Sequence, residues 1–296
     1  MRVLVTGKQG QLARSLMEGL PSAGELELMF VGRPEADLAD EGAFAKVIHE
    51  TEPDAVVNAA AYTDVDRAER ESTLAFRINA RGAGEVAKAA AVIGSPVIHV
   101  STDYVFDGES RDAWREDDPI NPLNTYGASK AAGEEIVRRA NPQHLVVRTS
   151  WMVSPFRNNF IKTIVSAARA RDLLTVVDDQ RGRPTSARDL ATAVLAILDR
   201  WRSGDHVGKG STYHIAGLGE TSWYGLACEV MDECRQLGAP AAEIKPISSE
   251  DWPTAAVRPA HSVLDCSRFE REFSPLPEWR ASVRQIVRRL VMSDLA

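Results

Sequence analysis

The chain has 296 residues, 44% hydrophobic and 26% charged, with a net charge of −7, proportions that exclude disordered and fibrous classes. The acidic balance, with a pI near 5.5, speaks against a nucleic-acid surface, and no apolar run approaches the ~20 residues that span a bilayer. Three cysteines without a CxxC pair, and six histidines without metal-ligand spacing, support neither a disulfide framework nor a metal site. The start shows no secretory signal pattern, so the cytoplasm is the expected compartment.

In chain order, a buried-strand run over 3–6 leads through Gly7 and Gly10 into a helix over 11–20. Glycines at a strand-to-helix turn let the backbone bend sharply and approach a pyrophosphate, which then rests on the free amides at the helix start. A plain tight turn uses the same glycines, so the turn alone does not decide. A second strand over 26–31 runs into Gly32 and Arg33, where dinucleotide folds tell their cofactors apart. An acid there accepts from the ribose hydroxyls of NAD, whereas an arginine suits the 2′-phosphate of NADP. Arg33, with no neighbouring acid, favours NADPH over NADH, the alternative being an ordinary surface arginine. Asp37 and Leu38 follow where a side chain can contact the adenine. After a helix over 41–50 and a third strand over 55–58, Ala59, Ala60 and Ala61 leave room for a dinucleotide, although apolar packing explains alanines equally well.

A long alanine-rich helix is predicted over 74–91 and a fourth strand over 96–100. Ser101 and Thr102 lie at that strand's C-terminal edge, the side on which open α/β sheets bind ligands. Thr102 there can hydrogen-bond a substrate carbonyl, or the pair can satisfy its own backbone. Residues 104–123 form a Pro-, Asp- and Gly-rich loop of a length that is often functional. The helix over 125–139 opens with TYGASK, so Tyr126 and Lys130, at i and i+4, share one face. A free phenol, with a pKa of about 10, is a poor proton source at neutral pH. An ammonium a few ångströms away is expected to lower it by about 1–3 units, toward the range where general acid catalysis works best. The lysine can also donate to the nicotinamide ribose. Glycine turn, strand-end hydroxyl and Tyr–Lys helix in this order point to carbonyl reduction with a nicotinamide cofactor, Thr102, Tyr126 and Lys130 being the catalytic residues. No G-x-S-x-G elbow supports nucleophilic hydrolysis.

A fifth strand over 145–148 precedes Trp151, whose indole offers a flat apolar wall to a sugar or base, or belongs to a core. The rhythm then changes: helix 160–171, strand 173–177, helix 187–202, strand 213–215, helix 222–237, strand 243–246 and helix 279–292. Arg280, Arg284, Arg288 and Arg289 fall near one face of the last helix and read as a solvated face. The expected architecture is an α/β fold: a Rossmann-type doubly wound parallel sheet over 1–149, with 172–203 returning to it, and a smaller C-terminal α/β substrate lobe from 150–171 and 204–296.

Six stretches are spread over nearly the whole chain: GKQGQLA from Gly7, PDAVVNAAAYTDVDRAE from Pro53, STDYVFDG from Ser101, PLNTYGASKAAGE from Pro122, RTSWMVSPFRNNF from Arg148 and VRPAHSVLD from Val257. Together they resemble the extended short-chain dehydrogenase/reductases, and within them most nearly the dTDP-4-dehydrorhamnose reductase family. The resemblance implies reduction of the C4 keto group of a dTDP-4-dehydro-6-deoxy sugar by NADPH, with NADH as the alternative, in the synthesis of cell-surface polysaccharide. It implies cofactor contacts from Gly10, Gln11, Leu12, Asp37, Leu38, Ala61, Tyr62, Thr63, Tyr126 and Lys130. Thr102, Asp103, Tyr104 and Trp151 would meet the sugar nucleotide, and Arg258 and the Asn158–Asn159 pair its polar groups. The family often shows an acid after the second strand where this chain has Val31-Gly32-Arg33, which sets dual cofactor use in question. The resemblance further implies magnesium at an acidic homodimer contact; its ligands have no assigned place here, Glu18 and Asp189 being the nearest suggestions. Two rival readings remain: a sugar-nucleotide epimerase that retains its cofactor, and a catalytically silent, reductase-like regulatory subunit.

Overall fold

The structure is a computed structural model that describes residues 1–19 and 26–294. Continuous apolar runs form strands covered on both faces: β1 (Arg2–Thr6), β2 (Glu27–Val31), β3 (Ala55–Asn58), β4 (Val97–Thr102) and β5 (His144–Thr149). Shorter ones follow: β6 (Met152–Val153), β7 (Leu173–Val177), β8 (Arg181–Gly182), β9 (Thr185–Ser186), β10 (Ser211–His214), β11 (Thr221–Ser222) and β12 (Glu243–Ile247). The main sheet has six parallel strands in the order β10-β5-β4-β3-β1-β2. The order reverses between β1 and β3, and ligands of such sheets bind outside the C-terminal ends near that reversal.

The helices are α1 (Gln11–Gly19), α2 (Ala43–Thr51), α3 (Val65–Ala68), α4 (Ser72–Phe76), α5 (Ala83–Val92), α6 (Thr125–Ala140), α7 (Phe160–Ala168), α8 (Ala187–Arg202), α9 (Trp223–Gln236), α10 (Ser267–Glu272) and α11 (Trp279–Asp294). Leu20, expected to end the first helix, lies outside the described residues. The helix expected unbroken over 74–91 is instead α4, a π-helical stretch Arg77–Gly82 and α5. The extra residue of a π turn fits tight packing on both sides. A Cβ on Gly133 of α6 would strike the Asn79 carbonyl, and one on Gly82 would lie 2.5 Å from the Leu38 carbonyl. Alanine-rich composition carries no trace of that shift.

One core joins β1, β3, β4 and β5 to α1 and α8, through Leu12, Leu16, Leu190, Val194 and Ile197 among others; a second lies under α2 and α5. A third belongs to the smaller lobe, where Val153, Ile161, Val230, Trp279 and Val287 pack together. Two strands depart from the expected division. Leu173–Val177, assigned with 172–203 to the sheet, pairs with β12, and Ser211–His214, assigned to the second lobe, extends the main sheet beside β5. A strand's own pattern does not say which edge it will join. The C-terminal arginines are likewise not simply a solvated face. Arg284 and Arg288 bind Glu229 and Glu233 of α9 at 2.5 and 2.6 Å, while Arg289 grips Glu18 through two bonds of 2.6 Å. Among the described residues, no helix is long and apolar enough to cross a membrane.

Candidate active site

Helix α6 is set against the end of β4 by its cap and its glycines. Asn124 caps it, accepting from Gly127 N at 2.8 Å, and donates to Val257 O at 2.8 Å. A Cβ on Gly127 would run into the Tyr104 carbonyl, so glycine there lets the helix approach the chain just past β4. Lys130, 2% exposed, consequently reaches across and donates to Val100 O at 2.6 Å. Ser129, beside it, donates to Tyr126 O at 2.7 Å and accepts from Asn79 Nδ2 at 2.9 Å. Asn79 also clamps the Tyr62 backbone, accepting from its N–H at 2.8 Å and donating to its carbonyl at 3.0 Å.

Thr102 ends β4 directly facing this helix. Its hydroxyl donates to Asp103 Oδ1 at 3.1 Å and accepts from Tyr104 N at 3.2 Å. Burial pushes the Tyr126 phenol up to about 12, opposed by a hydrogen bond with Thr102. Burial pushes the Lys130 ammonium down to about 8, against the attraction of Glu134. The expected lowering of the phenol by the lysine is therefore corrected: removal from water dominates, and the ammonium is directed at a main-chain carbonyl. Asp103, also buried, takes Ser262 Oγ on its second oxygen at 2.6 Å, and burial raises it to about 7. Tyr104 meets Tyr126 edge to face, with ring centroids 5.9 Å apart. Arg258 lies beside Tyr104, its guanidinium fixed by Asp66 at 2.7 Å. Thr102, Asp103, Tyr104, Tyr126, Lys130 and Arg258 thus converge on one place.

At the other end of the crevice, Gly7 adopts φ +80°, and a Cβ there would lie 3.1 Å from the Ala60 backbone. Gly10 N donates to Gly7 O at 2.7 Å, and Arg14 N bonds back to Gly10 O, leaving the first amides of α1 pointing out of the turn. A side-chain-free turn ending in free helix amides fits a dinucleotide pyrophosphate. Leu12 and Leu38 are buried in the cores, so neither presents its side chain to a ligand. Ala59, Ala61 and Tyr62 are half-buried and Thr63 exposed, along the rim from β3 toward Tyr126. Arg33 does have acidic neighbours: Asp37 lies 3.7 Å away, and Glu35 pairs with Lys8.

Three expected contacts are otherwise engaged. Gln11 Oε1 accepts from Ser154 Oγ at 2.6 Å and from Asn159 Nδ2 at 3.2 Å. Asn159 also donates to Ser154 O at 2.7 Å and caps α7, so it ties the lobes together instead of facing a nucleotide. Its neighbour Asn158 is exposed. Trp151 is 9% exposed and stacks on Trp223 at 3.6 Å between centroids. Its backbone is left-handed, φ 44°, and its indole is a core member with little face to offer a sugar. A Cβ on Gly182 would sit 2.5 Å from that indole. Gly182→Ala is therefore expected to cost about 1–3 kcal/mol by overpacking and to shift tryptophan emission. An unchanged denaturation midpoint and spectrum would show that the stack yields freely.

Asn79, Glu134, Ser262 and Asp66 escaped the sequence reading. Arg148 held a usable signal for one of them: a charge within the apolar strand LVVRT requires a buried anion, and Glu134 is that anion. For magnesium, Glu18 is bound by Arg289, and Asp189 accepts from Ser282 Oγ at 2.5 Å. Among the described residues no three His, Cys, Asp or Glu side chains gather to hold a metal.

A family model described as RmlD substrate binding domain matches residues 1–292. A dTDP-4-dehydrorhamnose reductase of Sinorhizobium fredii is 41% identical over 293 residues, 99% of this chain and 98% of that protein. Among solved structures, a dTDP-4-dehydrorhamnose reductase of Clostridium acetobutylicum matches with a TM-score of 0.90 at 35% identity, over 99% of this chain and 100% of that one. Another, from Bacillus anthracis in complex with NADP, gives 0.89 at 32% identity, over 97% and 99%.

Proposed function

The chain belongs to the RmlD substrate binding domain family, and from that membership we propose that it is an NADPH-dependent dTDP-4-dehydrorhamnose reductase, converting dTDP-4-dehydrorhamnose to dTDP-L-rhamnose. The observation that supports the reading is that Tyr126 bonds Thr102 at the C-terminal end of β4 while Lys130, one helical turn on, binds the Val100 carbonyl of the same strand, in the sheet whose first strand ends in the Gly7–Gly10 turn.

The nicotinamide, when bound, supplies the hydride for C4; the chain supplies the proton and the geometry. Tyr126 donates its phenolic proton to the oxygen that becomes an alkoxide. Its raised pKa keeps that proton in place at neutral pH until the substrate oxygen gains charge, which suits an acid working in the reducing direction. Thr102 orients the carbonyl beside it. Lys130 holds positive charge against the tyrosine that has just lost a proton, and it can do so only while protonated. Arg258, braced by Asp66, is offered to the polar groups of the sugar nucleotide.

Purified protein mixed with NADPH and the dTDP-4-keto-6-deoxy sugar should consume reduced nicotinamide in proportion to the sugar. An epimerase or a silent subunit shows no net consumption, and that result would reject the reading. Because burial holds Lys130 near 8, the ammonium is present below that pH and lost above it, so kcat/KM should fall as pH rises through about 8. Lys130→Arg, which keeps its charge, should move that limb upward even where overall activity is reduced. A limb that stays in place assigns the titration to another group.

A further inference from the structure

Just past β4, Asp103 is 2% exposed and both of its carboxylate oxygens are engaged inside the protein. Oδ1 accepts from Thr102 Oγ1 at 3.1 Å, and Oδ2 accepts at 2.6 Å from Ser262 Oγ, a side chain that is itself 1% exposed. Among the described residues none of these partners is a cation: two hydroxyls and the backbone N–H groups of Asp103 and Tyr104 bear the charge. The titratable neighbours are the Tyr104 and Tyr126 phenols, both kept neutral by burial. Arg258 lies beside Tyr104 but is paired with Asp66, and Lys130 is directed at Val100 O. A carboxylate buried without a counter-charge is costly. An amide of the same shape would hold Thr102 and Ser262 without that cost, so what sets this side chain apart is a proton it can release.

Thr102 stands between that carboxyl and the phenol. Its hydroxyl bonds both Asp103 and Tyr126 and takes Tyr104 N on a lone pair at 3.2 Å. It has only one proton to give. While Asp103 is ionised, that proton is drawn to Oδ1. When Asp103 is protonated, the carboxyl becomes the donor and the Thr102 proton turns toward the reacting oxygens.

We propose that Asp103 is a positioning residue that holds a proton in reserve and restores Tyr126 through Thr102. As C4 is reduced, Tyr126 gives its phenolic proton to the C4 oxygen and is left as phenolate. The Thr102 O–H bond then breaks as its proton passes to that phenolate, and the Asp103 carboxyl proton passes to Thr102 Oγ1. Phenol and threonine end as they began, and Asp103 ends as a carboxylate held by Ser262, to be reprotonated by water when product leaves. One proton is consumed for each hydride. The transfer runs downhill, because burial raises Asp103 to about 7 and Tyr126 to about 12. This role deepens the proposed function and rests on it.

Single turnover of the full chain, pre-loaded with NADPH and mixed with the dTDP-4-keto-6-deoxy sugar, tests it. Protonated Asp103 is present below its pKa and lost above it. The parent rate should therefore fall about tenfold, the worth of one charged hydrogen bond, as pH rises through about 7. That step precedes the Lys130 limb near 8. Asp103→Asn keeps the shape but has no proton to release, and should show the lower rate without the step while the sugar KM holds. Ser262→Ala removes a donor to the ionised form and should move the step to higher pH; it carries the test should Asp103→Asn not fold. In mixtures of light and heavy water at low pH, the parent rate should curve with deuterium content, as several protons in motion require, and that of Asp103→Asn should be linear. A step that survives in Asp103→Asn, a full rate there below the step, or a step unmoved in Ser262→Ala overturns the assignment. A parent chain that consumes no NADPH overturns it together with the reductase reading, an outcome distinct from failure of the reserve alone.

Discussion

Tyr126→Phe is expected to lower kcat by about 10²–10⁴-fold, the usual worth of a positioned acid, while NADPH affinity and the denaturation midpoint stay near those of the parent. The phenol makes a small part of the packing: it meets Tyr104 edge to face and bonds Thr102. A phenyl ring preserves the edge contact and loses the proton. About 3–5 kcal/mol of barrier corresponds to such a loss, above the about 0.5–1.5 kcal/mol that one hydrogen-bonded hydroxyl typically contributes to folding. Single-turnover measurement with pre-bound NADPH separates chemistry from product release and reads the effect directly. Thr102→Val should reproduce part of the loss, since it removes the partner that aims both phenol and carbonyl. Turnover within a few-fold of the parent in Tyr126→Phe would transfer the proton to another group, and the buried Asp103, one hydroxyl away, would be the first to examine.

How much of this was legible before the structure follows from how far apart the partners lie in the chain. Tyr126 and Lys130 could be paired because a helix fixes the relation of i to i+4. The glycine turn could be read because its geometry is local. Ser262 and Asp103 are 159 residues apart, and Arg258 and Asp66 are 192 apart; no period connects them. The strands β1 to β5 announced themselves by apolar runs, whereas β10 and β7 differ from one another in the edge they join, a property of the sheet already formed. The expected sign of the Tyr126 shift failed for a related reason. Shared helix face gave the direction of Lys130 but not the Val100 carbonyl that receives it, nor the depth of burial that governs both groups. Glu134 was hidden because helix propensity favours glutamate equally on a solvated surface.

That residue carries the largest expected effect on stability. Glu134 is fully buried and accepts from Ser101 Oγ at 2.5 Å, from Arg148 Nε and Nη2 at 3.0 and 2.9 Å, and from Arg138 Nη2 at 2.7 Å. Burial alone would raise its pKa; Arg148, Ser101 and Arg138 outweigh that and bring it to about 2. Arg148, itself buried, also donates to Glu116 O at 3.1 Å and lies over the Phe106 ring, so the pair links α6, β4, β5 and the 104–123 loop. Glu134→Ala leaves the guanidinium without its counter-charge and should cost about 3–5 kcal/mol, read as a lower denaturant midpoint at unchanged slope. The pH dependence has a definite sign. A carboxyl whose folded pKa is depressed contributes stability above its ordinary value, about 4.3, and loses it as pH falls toward 2. The gap between parent and variant should therefore be full at pH 7 and close progressively below about pH 4. The same carboxylate supports the Lys130 charge, so in any Glu134→Gln chain that folds, the alkaline limb of kcat/KM should move below 8. A variant that lost stability alone, with that limb in place, would confine Glu134 to holding α6 on the sheet.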